Sequence, residues 1–131
     1  MNAKNLISVF NLDQSEIKMV LELAKRIKIN PAAYHNQFSG RILGLIFEKP
    51  STRTWVSFEA GFSTMGGNVI SLGPNDIQLG VREEVRDVAR TLDRYLDGVV
   101  LRTYSHERIL EFARYFKKPV INGLSNSEHP C

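Results

Sequence analysis

A phosphate can be seated by hydroxyls, a guanidinium and the free amides of a helix start, and residues 47–54, Phe-Glu-Lys-Pro-Ser-Thr-Arg-Thr, offer all three. Pro50 precedes Ser51, which is placed to cap a helix that follows. The first amides of any helix lack partners within it, and that end carries a partial positive charge. A phosphate there would receive backbone donors, the hydroxyls of Ser51 and Thr52, and the guanidinium of Arg53. The segment is neither a Walker loop nor a GxGxxG fingerprint. The same residues also suit an ordinary Ser/Thr-capped helix carrying an exposed arginine.

Two further places hold polar groups of a useful kind: Arg102, in Leu101-Arg102-Thr103-Tyr104, and His129, in His129-Pro130-Cys131. Taken alone, Arg102 reads as a surface ion-pairing arginine and His129 as a solvated tail histidine. Asp87 and Arg90 stand one helical turn apart and suggest a surface pair. His35 and His106 have no partner pattern, and Trp55 and the phenylalanines suit packing better than cofactor binding.

These groups must be positioned by regular elements. Asp13-Gln14-Ser15-Glu16 is a capping box opening a helix, with Ile17, Val20, Leu21, Ala24 and Ile27 at helical spacing and a stop near Asn30-Pro31. The apolar run from Arg41 to Phe47 predicts a buried strand. A helix from Ser51 to about Met65 ends at Gly66-Gly67, and Asn68 to Leu72 is a second strand. Gly73 to Val81 is a loop with a Gly-Pro-Asn-Asp turn signal. A helix from Glu83 to Tyr95 buries Val85, Val88, Ala89 and Leu92. A strand over Gly98–Leu101 follows, then a helix over His106–Tyr115 with Ile109, Leu110 and Ala113 inward. The last strand is Pro119 to Asn122, before a polar tail. Short apolar strands alternating with amphipathic helices predict an α/β three-layer sandwich: a central parallel sheet of about four strands flanked by helices. Such sheets bind ligands at the carboxyl ends of their strands. That rule selects the positions after Phe47, Leu101 and Asn122.

Composition narrows the function classes. The chain has 131 residues, 43% hydrophobic and 24% charged, enough for one ordinary domain spanning 1–131. Its single cysteine, Cys131, can form neither an internal disulfide nor a structural zinc site. The net charge of +3 suits a small anionic ligand as well as nucleic acid. The basic residues are scattered along the chain, however, and no basic face or aromatic platform is expected. Without an apolar run long enough for a membrane span or a signal peptide, the expected location is the cytoplasm.

The stretch 47–61, FEKPSTRTWVSFEAG, resembles the signature of the aspartate and ornithine carbamoyltransferases, and the resemblance runs from about Leu6 to Cys131. It implies that Ser51, Thr52, Arg53 and Thr54 grip carbamoyl phosphate, that Arg102 reaches its carbonyl oxygen and phosphate, and that His129 donates to the carbonyl oxygen. The loop Asp76-Ile77-Gln78-Leu79-Gly80 is similar to a family loop that reaches a neighbouring subunit's site, which makes Gln78 a candidate contact. Three departures stand out. Trp55 replaces a common arginine, Gly80-Val81-Arg82-Glu83 lacks the usual basic loop pattern, and the glutamine expected after Cys131 is not in the chain.

The resemblance favours the ornithine over the aspartate branch, because Cys131 stands where the aspartate enzymes carry threonine and the loop holds no lysine. An intact Thr52 argues against relatives acting on acylated ornithine. The family's reaction passes the carbamoyl group to the δ-amine of ornithine, giving citrulline and phosphate, with no cofactor, metal or enzyme-bound intermediate. Arg102 and His129 are then the catalytic candidates. Ornithine would be held by a second domain that these residues do not include, so the chain alone is expected to be inactive, and the full-length family enzymes are expected to be homotrimers. Two alternatives remain open: a noncatalytic anion-binding module and an aspartate carbamoyltransferase domain.

Overall fold

The computed structural model describes residues 4–131. Four helices and four strands follow in the order α1 (Gln14–Ile29), β1 (Ile42–Phe47), α2 (Thr52–Thr64), β2 (Asn68–Leu72), α3 (Val85–Leu92), β3 (Gly98–Arg102), α4 (His106–Tyr115) and β4 (Val120–Asn122). The strands are all parallel, in the order β2-β1-β3-β4. This is the α/β architecture that the alternating pattern predicts.

Successive residues of a strand face opposite sides, and the core divides accordingly. Leu43, Leu45, Phe47 and Val100 form one cluster with Trp55, Phe58 and Phe62 of α2. Ile46, Val99, Leu101 and Val120 face the other side, under Val85, Val88 and Ala89 of α3 and Ile109 and Phe112 of α4. The chain leaves β1 for β2 on one side of the sheet and later fills β3 and β4 on the other. The strand order therefore reverses between β1 and β3, and their carboxyl ends flank a crevice.

The capping box forms as the sequence requires. Asp13 accepts from the Glu16 amide at 2.8 Å, and Glu16 accepts from the Asp13 amide at 3.1 Å. The apolar face of α1 has a different fate. Ile17 and Ile27 are half-buried, while Val20, Leu21 and Ala24 are exposed, and no α1 residue joins either core cluster. Periodicity reports a face that is able to pack, not one that has found cover. Leu110 also departs from expectation: it is exposed, and Phe112 takes the inward place beside Ile109. Helix α3 is shorter than its pattern, because the chain turns at Asp93, whose carboxylate accepts from the Lys117 amide at 2.8 Å. Asp87 pairs with Arg86 at 3.3 Å, and Arg90 instead lies over the Tyr115 ring.

The segment around Leu6 covers part of the β4 edge. Leu6 forms a parallel bridge with Ile121, with two backbone bonds of 2.9 Å. An edge strand with unpaired amides invites aggregation, and this short pairing covers part of it. No helix among the described residues is long and apolar enough to cross a membrane.

Candidate functional site

Strands β1 and β3 end side by side, with Phe47 in register with Arg102. The ladder runs one residue further, where the Glu48 amide donates to the Arg102 carbonyl at 2.8 Å. From there Lys49 and Pro50 lead into α2. Ser51 occupies the cap position in an extended conformation, φ −163° and ψ 101°, but its hydroxyl makes no capping bond. Among the described residues the side chains of Ser51, Thr52, Arg53 and Thr54 have no hydrogen-bond or ionic partner. Thr52 and Arg53 are exposed, and Ser51 and Thr54 are half-buried. The helix start thus presents open donors on the crevice side of the sheet, as an anion seat requires.

Arg102 faces this seat from the end of β3. Its Nη1 donates to the Gly123 carbonyl at 3.1 Å, while its Nε is buried without an acceptor. A buried donor left unpaired costs about 1–3 kcal/mol, and an acceptor arriving at this nitrogen would relieve that cost. Gly123 brings the pieces together. A Cβ added there would stand 2.9 Å from Val100 Cγ1 and 3.7 Å from Thr54 Cγ2, so the close approach of β4's end to β3 and α2 requires a glycine. Thr54, Arg102 and Gly123 meet at one point.

The tail carrying His129 is tied to the same edge through Asn122, which is fully buried. Asn122 Nδ2 donates to the carbonyls of Ile7 (2.9 Å) and Glu128 (3.2 Å), and its Oδ1 accepts from the Leu124 amide at 2.9 Å. The thiol of Cys131 donates to the Asn122 carbonyl at 3.0 Å, and desolvation there pushes that thiol above its ordinary pKa. Glu128 just before His129 and Cys131 two residues after it are therefore anchored at the end of β4, while His129 itself is exposed. Leu124, with φ 123°, holds a backbone conformation that side chains rarely adopt, and such strain tends to collect at functional sites.

Gln78 lies in the loop after β2 and is exposed between the buried Ile77 and Leu79. Its carbonyl accepts from the amides of Val81 (3.1 Å) and Arg82 (3.0 Å), but no hydrogen bond links its side chain to the cradle. The structure thus brings Ser51–Thr54, Arg102 and the tail of His129 to one edge and leaves Gln78 on its flank. Sequence reasoning passed over Glu48 and Arg108, which form a partly buried ion pair at 3.0 Å behind the cradle. A carboxylate directly following a buried strand was the available signal. His106, without a pattern in the sequence, joins the tail: its Nδ1 lies 2.9 Å from Ser125 Oγ and its amide donates to Asn126 Oδ1 at 2.8 Å.

Other recesses have different chemistry. An apolar hollow of about 470 Å³, lined by Phe38, Leu43, Phe58, Phe62, Pro119 and Ile121, opens toward the opposite edge. Arg90, Arg94, Arg114 and Lys117, scattered in sequence, line a shallow cleft where α3 and α4 end. Cations there offset the helix dipoles. Among the described residues no three His, Cys, Asp or Glu side chains are grouped to ligate a metal ion.

The family model described as aspartate/ornithine carbamoyltransferase, carbamoyl-P binding domain, matches residues 4–131. The chain belongs to this family. An ornithine carbamoyltransferase of Methanoculleus marisnigri is 48% identical over 98% of the chain, and the chain spans 42% of that protein. A chloroplastic ornithine carbamoyltransferase of Pisum sativum is 47% identical over 97% of the chain, which covers 35% of it. Among solved structures, the ornithine carbamoyltransferase of Pyrococcus furiosus superposes with a TM-score of 0.94 at 41% identity, over 98% of this chain and 42% of that one. The chain thus spans less than half the length of these relatives, and what it shares with them is the carbamoyl-phosphate-binding domain of the carbamoyltransferases.

Proposed function

We propose that this chain supplies the carbamoyl-phosphate seat of an ornithine carbamoyltransferase, which transfers the carbamoyl group to L-ornithine to give L-citrulline and phosphate. One observation carries the reading: four unpartnered side chains, Ser51 to Thr54, stand at a helix start beside the unpaired, buried Nε of Arg102. Arg53 and the hydroxyls hold the phosphate. Arg102, His129 and Thr54 receive the carbonyl oxygen as it gains negative charge under attack by the uncharged δ-amine. Loss of one preorganised donor of this kind typically costs about 10²–10³ in rate.

Ornithine is bound outside these residues, in this reading, so the chain alone makes no detectable citrulline. Holding both reactants can supply ~7–11 kcal/mol of a barrier, and nothing here orients the amine. The whole enzyme is a cytoplasmic homotrimer without a cofactor or metal, and Gln78 serves a neighbouring subunit's site. The ornithine branch is favoured over the aspartate branch by Cys131 and by the relatives' names.

Titration of the labelled chain with carbamoyl phosphate tests the seat. Amide shifts are expected at Ser51–Thr54 and around Arg102, with an affinity near millimolar, roughly 4 kcal/mol of binding. Shifts confined to residues remote from both places would remove the proposed site.

A further inference from the structure

We infer that Glu48 and Arg108 form a positioning pair that holds the two halves of the anion seat in register and cancels a carboxylate behind it. The inference rests on the reading of Ser51–Thr54 and Arg102 as that seat.

Glu48 is 7% exposed, at the point where β1 hands the chain to the cradle. Its amide is bonded to the Arg102 carbonyl, and its carboxylate accepts from Arg108 Nη1 at 3.0 and 3.3 Å and from the Tyr104 amide at 3.3 Å. One residue is thereby tied to the last residue of β3, to the loop just after Arg102 and to the first turns of α4. The Arg108 side chain also passes close to a third loop. A Cβ added to Gly80, whose φ is +70°, would lie 3.5 Å from Arg108 Nε. The cradle, the Arg102 loop and the start of α4 therefore converge on one ion pair, with the Gln78 loop alongside.

Net stability does not explain such a pair. Removing two charges from water often costs as much as their attraction returns, and an apolar pair of similar volume commonly does as well. What the pair provides is geometry and charge balance. The carboxylate of Glu48 lies three residues before Ser51, where an uncompensated negative charge would repel a phosphate. Arg108 keeps that charge neutralised while using it to fix the loop. Arg108 acts through Glu48 and is a positioning residue, not one that touches the ligand.

The two functions separate experimentally. Inorganic phosphate is titrated into the chain and its Arg108→Met, Arg108→Lys, Glu48→Gln and Glu48→Gln/Arg108→Met variants, followed by amide shifts at Ser51–Thr54, with melting temperatures recorded alongside. Arg108→Met is expected to weaken binding about tenfold (~1.4 kcal/mol), because it loses the link and bares the carboxylate. Glu48→Gln loses roughly threefold, since it keeps an acceptor for the Tyr104 amide, and Arg108→Lys falls between native and Arg108→Met. The double variant is expected to bind better than Arg108→Met alone. A purely structural role would lower melting temperatures without that rescue. Affinities within twofold of native in Arg108→Met, or a double variant as weak as the product of the singles, would overturn the inference. If Arg108→Met does not fold, Arg108→Lys and Glu48→Gln decide it, and native affinity in both overturns it. Arg86→Ala, which breaks a remote surface pair, controls for net charge and should bind as native. Failure of the native chain to bind phosphate at Ser51–Thr54 would remove the functional reading and this inference together, whereas native binding with unchanged variants would remove this inference alone.

Discussion

At the amino-terminal edge of the sheet, Arg41 donates to one Asp97 oxygen at 2.9 Å and the Ile42 amide donates to the other at 2.9 Å. Nearby, Lys118 donates to the carbonyls of Asp93 and Leu96. At the carboxyl-terminal edge, Arg53 has no partner among the described residues and Arg102 keeps one nitrogen buried and unpaired there. Similar residues thus close one end of the sheet and leave the other open. Folding alone favours the first arrangement, because unmade bonds at buried donors are expensive. Their presence where the strand order reverses is what the proposed anion seat requires. The Glu48–Arg108 pair is the exception that proves informative: it is a closed contact at the open edge, set behind the donors.

Several substitutions would break or sharpen this contrast. The largest effect is expected from Arg53→Ala, which should weaken phosphate binding tenfold or more, since hydrogen bonds to charged groups contribute ~1.5–3 kcal/mol. Its melting temperature should not fall, because Arg53 holds nothing in the fold. Arg53→Lys should recover only part of the affinity, as an ammonium lacks the two-pronged geometry. Equal phosphate affinity for Arg, Lys and Ala would take Arg53 out of the seat.

Gly123→Ala should act on both fold and site. The added methyl meets Val100 at 2.9 Å, and overpacking of that kind costs ~1–3 kcal/mol. Denaturant unfolding should show the loss, and phosphate titration a weaker seat, since the Leu101 carbonyl and Thr54 also lie within 4 Å of the added methyl. An unchanged midpoint would mean that the β4 end can retreat freely.

Asp97→Ala tests the closed edge and should do the reverse. Stability should fall by about 1 kcal/mol through the lost bond to the Ile42 amide, with phosphate affinity unaltered. A change in affinity would show that the two edges are coupled.

The smallest effect concerns pH. The Ile42 amide, and then Arg41, hold the Asp97 carboxyl below its ordinary value. The unfolded chain then takes up this proton first, near pH ~3.9. The stability contributed by Asp97 is fully present above that pH and is lost as the pH falls through the lower folded-state value. Acid unfolding of native protein and Asp97→Asn should therefore converge at low pH, and parallel curves would exclude this contribution.

The same contrast explains what the sequence disclosed. Local patterns were readable: the Asp13–Glu16 box, the alternation of Leu43, Leu45 and Phe47, and the breaks at Gly66-Gly67 need only near neighbours. The run Ser51–Thr54 was readable for the same reason, as consecutive hydroxyls and a guanidinium at a helix start. Contacts made by folding were not. Glu48 finds Arg108, and Asn126 caps α4 through the His106 amide, across long stretches of chain that no short pattern encodes. Asp87 pairs with Arg86, and Arg90 lies instead over the Tyr115 ring of another helix. Ser51 was readable as a cap by position, but the freedom of its hydroxyl was not. The exposure of Val20 and Leu21 could not be foreseen, because periodicity does not say whether a partner arrives.

The register of Phe47 with Arg102 also has a kinetic side. Strands β1 and β2 meet through the short excursion of α2, but β1 meets β3 only when a much longer loop closes; Glu48 and Tyr104 are 56 positions apart. Closing such a loop is slow and entropically costly. Before it closes, Ser51–Thr54 and Arg102 belong to separate parts of an open chain and cannot share an anion. A phosphate held at the proposed seat would act as a latch on the finished fold: refolding should proceed at the same rate with or without it, while unfolding slows in proportion to occupancy.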